Sequence, residues 1–221
     1  MISKAELDFL SELQQNNNRE WFSDNKKRFE KHQDAIKSFF GEINTEFGVK
    51  DSIEKMQIHR IYRDVRFSKD KTPYKSNFSV SFDRTKPYLR GGYYLHIQPG
   101  ASFVGGGFWE PNAADLKRIR KEFELDDSEI RAIISNKRFI ETFGTLQGSE
   151  LKTAPKDFDK EHKAIDLIRK KQYIVYRRFT DKEVTSANFK SEIINTFLAM
   201  RPFFDYMSDV LGTNLNGEPI Y

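Results

Sequence analysis

"FSVSFDRTKPYLRGGYYLHIQ", residues 78–98, decides the fold class. Its first five residues alternate strictly, with Phe78, Val80 and Phe82 set against Ser79 and Ser81. Its end alternates again, with Tyr93, Leu95 and Ile97 opposite Tyr94, His96 and Gln98. Successive side chains of a strand point to opposite faces, so each run predicts a half-buried strand with one apolar and one polar side. "KPYLRGG" between them supplies the turn residues.

Working outward, Lys55 to Phe67 alternates less cleanly, with Ile61, Val65 and Phe67 apolar and Arg63 on the same face, and is read as a further strand. "QPGASFVGGGFWEP" reads as a turn followed by a Gly-rich strand or loop, and "KKQYIVYRRFT" as the last strand. Helical spacing governs both ends of the chain. Leu7, Leu10 and Leu13 follow Ser3 as N-cap with Glu6 three residues on, the signature of a capping box. After "NNN" a second helix is expected from Asn18 to Gly48, carrying Trp21, Phe22, Phe29, Ile36, Phe39, Phe40, Ile43 and Phe47. Pro111 opens a helix over "NAADLKRIRKEF", two short helices follow, and a closing helix runs from Ser186 to Val210, kinked or divided at Pro202. The order helices, antiparallel strands, helices predicts an α+β protein. A single domain over 1–221 is expected, with an antiparallel sheet of about four to six strands flanked by N-terminal and C-terminal helices.

The 221 residues suffice for a sizeable core, to which 20 Phe contribute bulk. No cysteine is present, which excludes disulfides, thiol catalysis and cysteine-based zinc sites. His32, His59, His96 and His162 form no HxH or HExxH spacing, and no nucleophile elbow occurs, so neither a metal nor a cofactor is expected. No apolar run approaches the roughly 18 residues of a membrane span, and the first residues lack an apolar leader core. A soluble cytoplasmic protein is the expectation.

Charge concentrates in "RIYRDVRFSKDKTPYK", residues 60–75. Arg60, Arg63, Arg66, Lys69, Lys71 and Lys75 outnumber Asp64 and Asp70 by four, the net charge of the entire chain. If the strand runs on to Phe67, Arg60, Tyr62, Asp64 and Arg66 share one face, with Asp64 orienting both arginines. Unpaired ions cost several kcal/mol to desolvate, so the excess faces water, distant acids or an anionic partner. Three readings stand. In the first, Arg60, Arg63, Arg66, Lys71 and Tyr74 hold a small phosphate- or carboxylate-bearing ligand through planar, bidentate guanidinium contacts. Asp64, Tyr74 and His96 are then the candidates for catalysis. In the second, the same cations join Tyr176, Arg177 and Arg178 as a nucleic-acid surface. In the third, the Arg–Asp cluster serves folding alone. Gly105 to Gly107 offer either a backbone anion nest or a tightly packed bulge.

Taken in order, "NNNREWFSDNKKRF", "RIYRDVRFSKDKTPYK" and "GGYYLHIQPGASFVGGGFW" resemble the bacterial and fungal domain-of-unknown-function family 2461 over nearly the whole length. Lys163 after His162 departs from similar proteins, which carry proline there. The resemblance implies a chain of this size and carries over no activity, cofactor or residue role.

Overall fold

The computed structural model describes residues 1–221. Three helices lead: α1 (Lys4–Gln15), α2 (Arg19–Asp24) and α3 (Lys26–Gly48). Four strands follow, β1 (Ile53–Ile58), β2 (Phe78–Arg84), β3 (Gly92–Ile97) and β4 (Ser102–Phe108). Helices α4 (Ala113–Leu125), α5 (Ser128–Ser135), α6 (Lys137–Phe143) and α7 (Ile165–Ile168) precede β5 (Tyr173–Phe179). Helices α8 (Asp181–Val184) and α9 (Phe189–Gly212) close the chain. The strands make one antiparallel sheet in the order β1-β2-β3-β4-β5, so the architecture is α+β with helices at both ends. No helix is long and apolar enough to cross a membrane. The residues gather into two compact units, Met1–Phe82 with Tyr94–Val104 and Arg178–Asn195, and Asp83–Tyr93 with Gly105–Arg177 and Thr196–Tyr221.

In the first unit, the capping box at Ser3 and Glu6 starts α1, whose Leu7, Leu10 and Leu13 are buried. The single helix expected from Asn18 to Gly48 is instead two. Asn18 caps α2, and Asn25 ends it by donating its side-chain amide to the Trp21 carbonyl at 2.9 Å. A side chain that bonds the nearby backbone competes with the helical ladder, and α3 restarts one residue later. Rings fill the space beneath: Phe22 lies 5.1 Å from Phe29, which stacks on Phe78, while Phe39 stacks on Phe189 at 6.0 Å.

Strand β1 also departs from expectation, ending at Ile58 rather than Phe67. After His59 donates its amide to Ser79 O at 2.9 Å, the chain leaves the sheet and pairs with itself. Arg63 N donates to Pro73 O at 2.9 Å and Lys75 N to Ile61 O at 2.7 Å, around an antiparallel bridge between Tyr62 and Tyr74. Residues 61–63 and 73–75 thus close an excursion whose tip carries Arg66, Lys69 and Lys71 with both acids, and the shared strand face expected for Arg60, Tyr62, Asp64 and Arg66 does not exist.

In the second unit, Tyr93 packs between Phe197 and Phe204 of α9, at 4.8 and 5.0 Å. A methyl group on Gly106 would meet Gly92 O at 2.7 Å and the Phe204 ring at 2.8 Å, so only glycine admits this approach. Gly107, at φ +132°, would drive a Cβ to 2.2 Å from Tyr173 O. These two glycines serve close packing of backbone, not an anion nest. Helix α9 runs through Pro202 undivided, because Ile193, Phe197 and Met200 before it and Phe203, Met207 and Val210 after it are all buried. That packing outweighs the hydrogen bond proline removes. Pro111 does not open α4: Asn112 caps it, accepting from Asp115 N at 2.9 Å.

Candidate anion site

Within the first unit, the excursion is fastened at its closing end. Asn17 accepts a hydrogen bond from Tyr74 N at 3.1 Å and returns one to Tyr74 O at 2.9 Å, so one side-chain amide does the work of a strand neighbour. The Tyr74 ring, buried, stacks on Phe22 at 3.9 Å with 15° between the planes. Tyr62 completes the group 5.4 Å from Tyr74. Burial raises the Tyr74 phenol above its ordinary range, and the nearby Tyr62 adds to this against the opposing pull of Arg19. A phenol held protonated, with its ring packed and its backbone clamped, is an anchor.

The two acids of the stretch are both committed. Asp64 takes Arg66 in a bidentate pair at 2.7 and 3.0 Å, while Arg60 acts on its carboxylate through charge alone, with no hydrogen bond between them. Arg66 is 76% exposed, so the pair stands in water. Asp70 bonds the Arg63 guanidinium as well as the Thr72 amide and hydroxyl. The Thr72 amide, then Arg63, hold the Asp70 carboxyl down to about 2. Lys71 donates to Val65 O at 2.9 Å, which ties the tip together without neutralising the charge. Arg60, Lys69 and Lys75 remain without an acid within ion-pair distance.

Lys75 differs from the other two because it is half-buried. Burial depresses its ammonium pKa, and the like charges of Arg60 and then Arg63 depress it further. Its backbone is nonetheless fixed: the preceding residue is clamped by Asn17 and its own amide donates to Ile61 O. Arg60 and Arg63 thus act as like charges on an ammonium whose backbone is fixed.

Lys75 also lies within electrostatic reach of His96, on the polar side of β3. Burial lowers the His96 pKa, and Lys75 lowers it again against a hydrogen bond to Gln98 that favours the charged form. The His96 Nε2–H donates to Gln98 Oε1 at 2.8 Å, which leaves Nδ1 to accept from the Tyr94 hydroxyl at 3.3 Å. Burial raises the Tyr94 phenol against a bond to Ser79. Behind them His96 stacks on Phe103 at 4.9 Å, and His59 bonds Ser81 at 2.8 Å. The chemistry on offer is one of positive charge beside neutral hydrogen-bonding rings.

Of the residues singled out in the sequence, Arg60, Arg63 and His96 lie within electrostatic reach of Lys75, and Tyr74 adjoins Lys75 in the chain as an anchor. Asp64, Arg66 and Lys71 stay at the exposed tip. Arg177 donates to Thr196 Oγ1 at 3.3 Å, and Arg178 is exposed. Sequence reasoning passed over Asn17, Tyr94 and Lys75 itself. Lys75 had a signal, as the last cation of a stretch with too few acids. Asn17 had none beyond its place in a polar triplet. No group of three or more metal-ligating side chains converges anywhere in the chain.

Comparison with known proteins agrees with the sequence motifs. The family model described as "Conserved hypothetical protein (DUF2461)" matches residues 5–206, and the chain belongs to that family. Neither the curated proteins nor the solved structures include one that matches it.

Proposed function

We propose that this member of the DUF2461 family binds a small anion, phosphate- or carboxylate-bearing, between Lys75 of the 59–77 excursion and the polar face of β3 in the first unit. Lys75 is the central contact. Arg60 supplies a second charge, and Arg63, already shared with Asp70 and Thr72, a third. Tyr94 and His96 furnish neutral hydrogen-bonding groups beside them. One observation carries the reading: a half-buried ammonium with no acid partner, pressed by two guanidiniums. Folding alone gains nothing from that arrangement, whereas an anion converts each repulsion into an attraction.

Calorimetric titration with inorganic phosphate, sulfate, citrate and a short RNA tests it, on wild type and Lys75→Met. Compact anions are expected to bind wild type and to lose most of their affinity in the variant. At roughly ten times Kd, stabilisation is about 1.4 kcal/mol, or about 3–5 °C in Tm for a chain of this size. Binding by RNA alone, abolished by salt, supports a nucleic-acid surface instead. No binding by any anion rejects the site.

A further inference from the structure

The anion grip does not end at the cations. Tyr94 and His96, adjacent on the polar side of β3, bring their rings within 6.1 Å of each other. Phe103 from β4 stands 4.9 Å from His96 and 5.7 Å from Tyr94, and His59 stands 5.8 Å from Tyr94 on the other flank. All four rings are half-buried, in contrast to Leu95 and Ile97, which are fully buried on the opposite side of the same strand. A polar sheet face that meets only water is usually lined with short hydroxyls and long charged side chains. This one carries a run of flat rings, edged with hydrogen-bonding atoms at Tyr94, His96 and Gln98, and Lys75 lies within electrostatic reach of it.

Resting on the anion reading above, we infer that the ligand is a small anion joined to a planar aromatic or heteroaromatic ring. The charged end lies against Lys75, Arg60 and Arg63, and the ring lies along Tyr94 and His96. Offset or edge-on packing on these rings favours a flat partner over an aliphatic one of equal charge. His96 is stacked and uncharged at neutral pH, so it offers the ring a neutral surface and leaves the charge to the cations. Heteroatoms on the ligand ring find donors and acceptors in the Tyr94 hydroxyl and the Gln98 amide.

Matched pairs of probes test this by calorimetry on the full chain: phenyl phosphate against methyl phosphate, and adenosine monophosphate against ribose 5-phosphate. Inorganic phosphate reports the grip alone. The ring-bearing member of each pair is expected to bind about 10-fold tighter or better, a ratio typical of aromatic stacking. Tyr94→Phe keeps the ring and should keep the phenyl-to-methyl ratio, while Tyr94→Leu removes the ring and should bring that ratio close to one. If phosphate binds but both members of each pair bind equally to wild type, the ring inference is overturned and the anion site stands. If no phosphate binds at all, both fall together.

Discussion

Two basic side chains, Arg84 in the second unit and Lys75 in the first, have opposite surroundings. Arg84 is fully buried, and its guanidinium meets Asp205, Ser208 Oγ, Arg90 O and the face of Phe204. Taking an ion out of water costs several kcal/mol, and Arg84 recovers that cost through a charge pair, hydrogen bonds and an aromatic ring. Lys75 is only half-buried, yet its charged neighbours are cations. Burial alone therefore does not separate scaffold from site in this protein. The state of the partners does: a satisfied cation holds the fold, and an unsatisfied one held rigidly in place is free to hold something else.

Substitution tests the contrast from its strongest side first. Arg84→Met removes a buried cation and leaves Asp205 with Arg201 as its ion-pair neighbour. A loss of about 3 kcal/mol or more is expected in urea unfolding, without phosphate in the buffer. A loss below about 1 kcal/mol would mean that the network is ornamental. Asn17→Ala deletes both bonds to the Tyr74 backbone and should cost about 1–2 kcal/mol. Because Tyr74 precedes Lys75, the same variant should weaken phosphate binding several-fold and speed hydrogen exchange at the Lys75 amide. Unchanged phosphate affinity would show that the clamp serves stability alone.

Smaller effects come from His96 and the loop tip. Folding pulls the His96 pKa below the ordinary 6.5, so the unfolded chain binds the proton more readily. Stability contributed by the neutral ring is thus present above about pH 6.5 and declines as pH falls toward the folded-state pKa. A bound anion reverses the preference, since it favours the imidazolium. Sulfate, which does not titrate in this range, should therefore bind tighter at about pH 5.5 than at about pH 7.5, and His96→Gln should flatten that dependence. An equally steep profile in His96→Gln would assign it to another group. The smallest change is expected for Arg66→Ala: its pair with Asp64 stands in water at the tip, so neither Tm nor sulfate affinity should move. A clear drop in sulfate affinity would return Arg66 to the site.

Much of this was legible in the sequence. Period-two alternation at Phe78–Phe82 and Tyr93–Gln98 locates two strands and separates the His96 face from the Leu95 face, because a pleated strand obeys that period whatever its neighbours. The same period misleads at Ile61, Val65 and Phe67. Alternation shows that a segment is extended without showing what it pairs with, and here it pairs with residues 73–75. Asn25 was invisible as a break, since one polar residue in an amphipathic helix looks like any solvent-facing position. The excess of four cations marked the stretch as a candidate, but pairing acids to bases needs coordinates. Once Arg63 and Arg66 have taken the two carboxylates, the weight shifts to Lys75. The Asn17 clamp follows no period at all, being a side chain in place of a strand.

The thermal stability of Lys75→Met, set beside wild type with and without sulfate, tests the central claim most directly. Without the anion, the variant relieves a desolvated charge and two repulsions, so it should melt at the same temperature or slightly higher. With saturating sulfate, wild type should rise by several degrees and overtake it, while the variant barely responds. A variant that melts well below wild type without sulfate, and gains as much from sulfate as wild type does, would contradict the account: Lys75 would then belong with Arg84, among the cations that hold the fold.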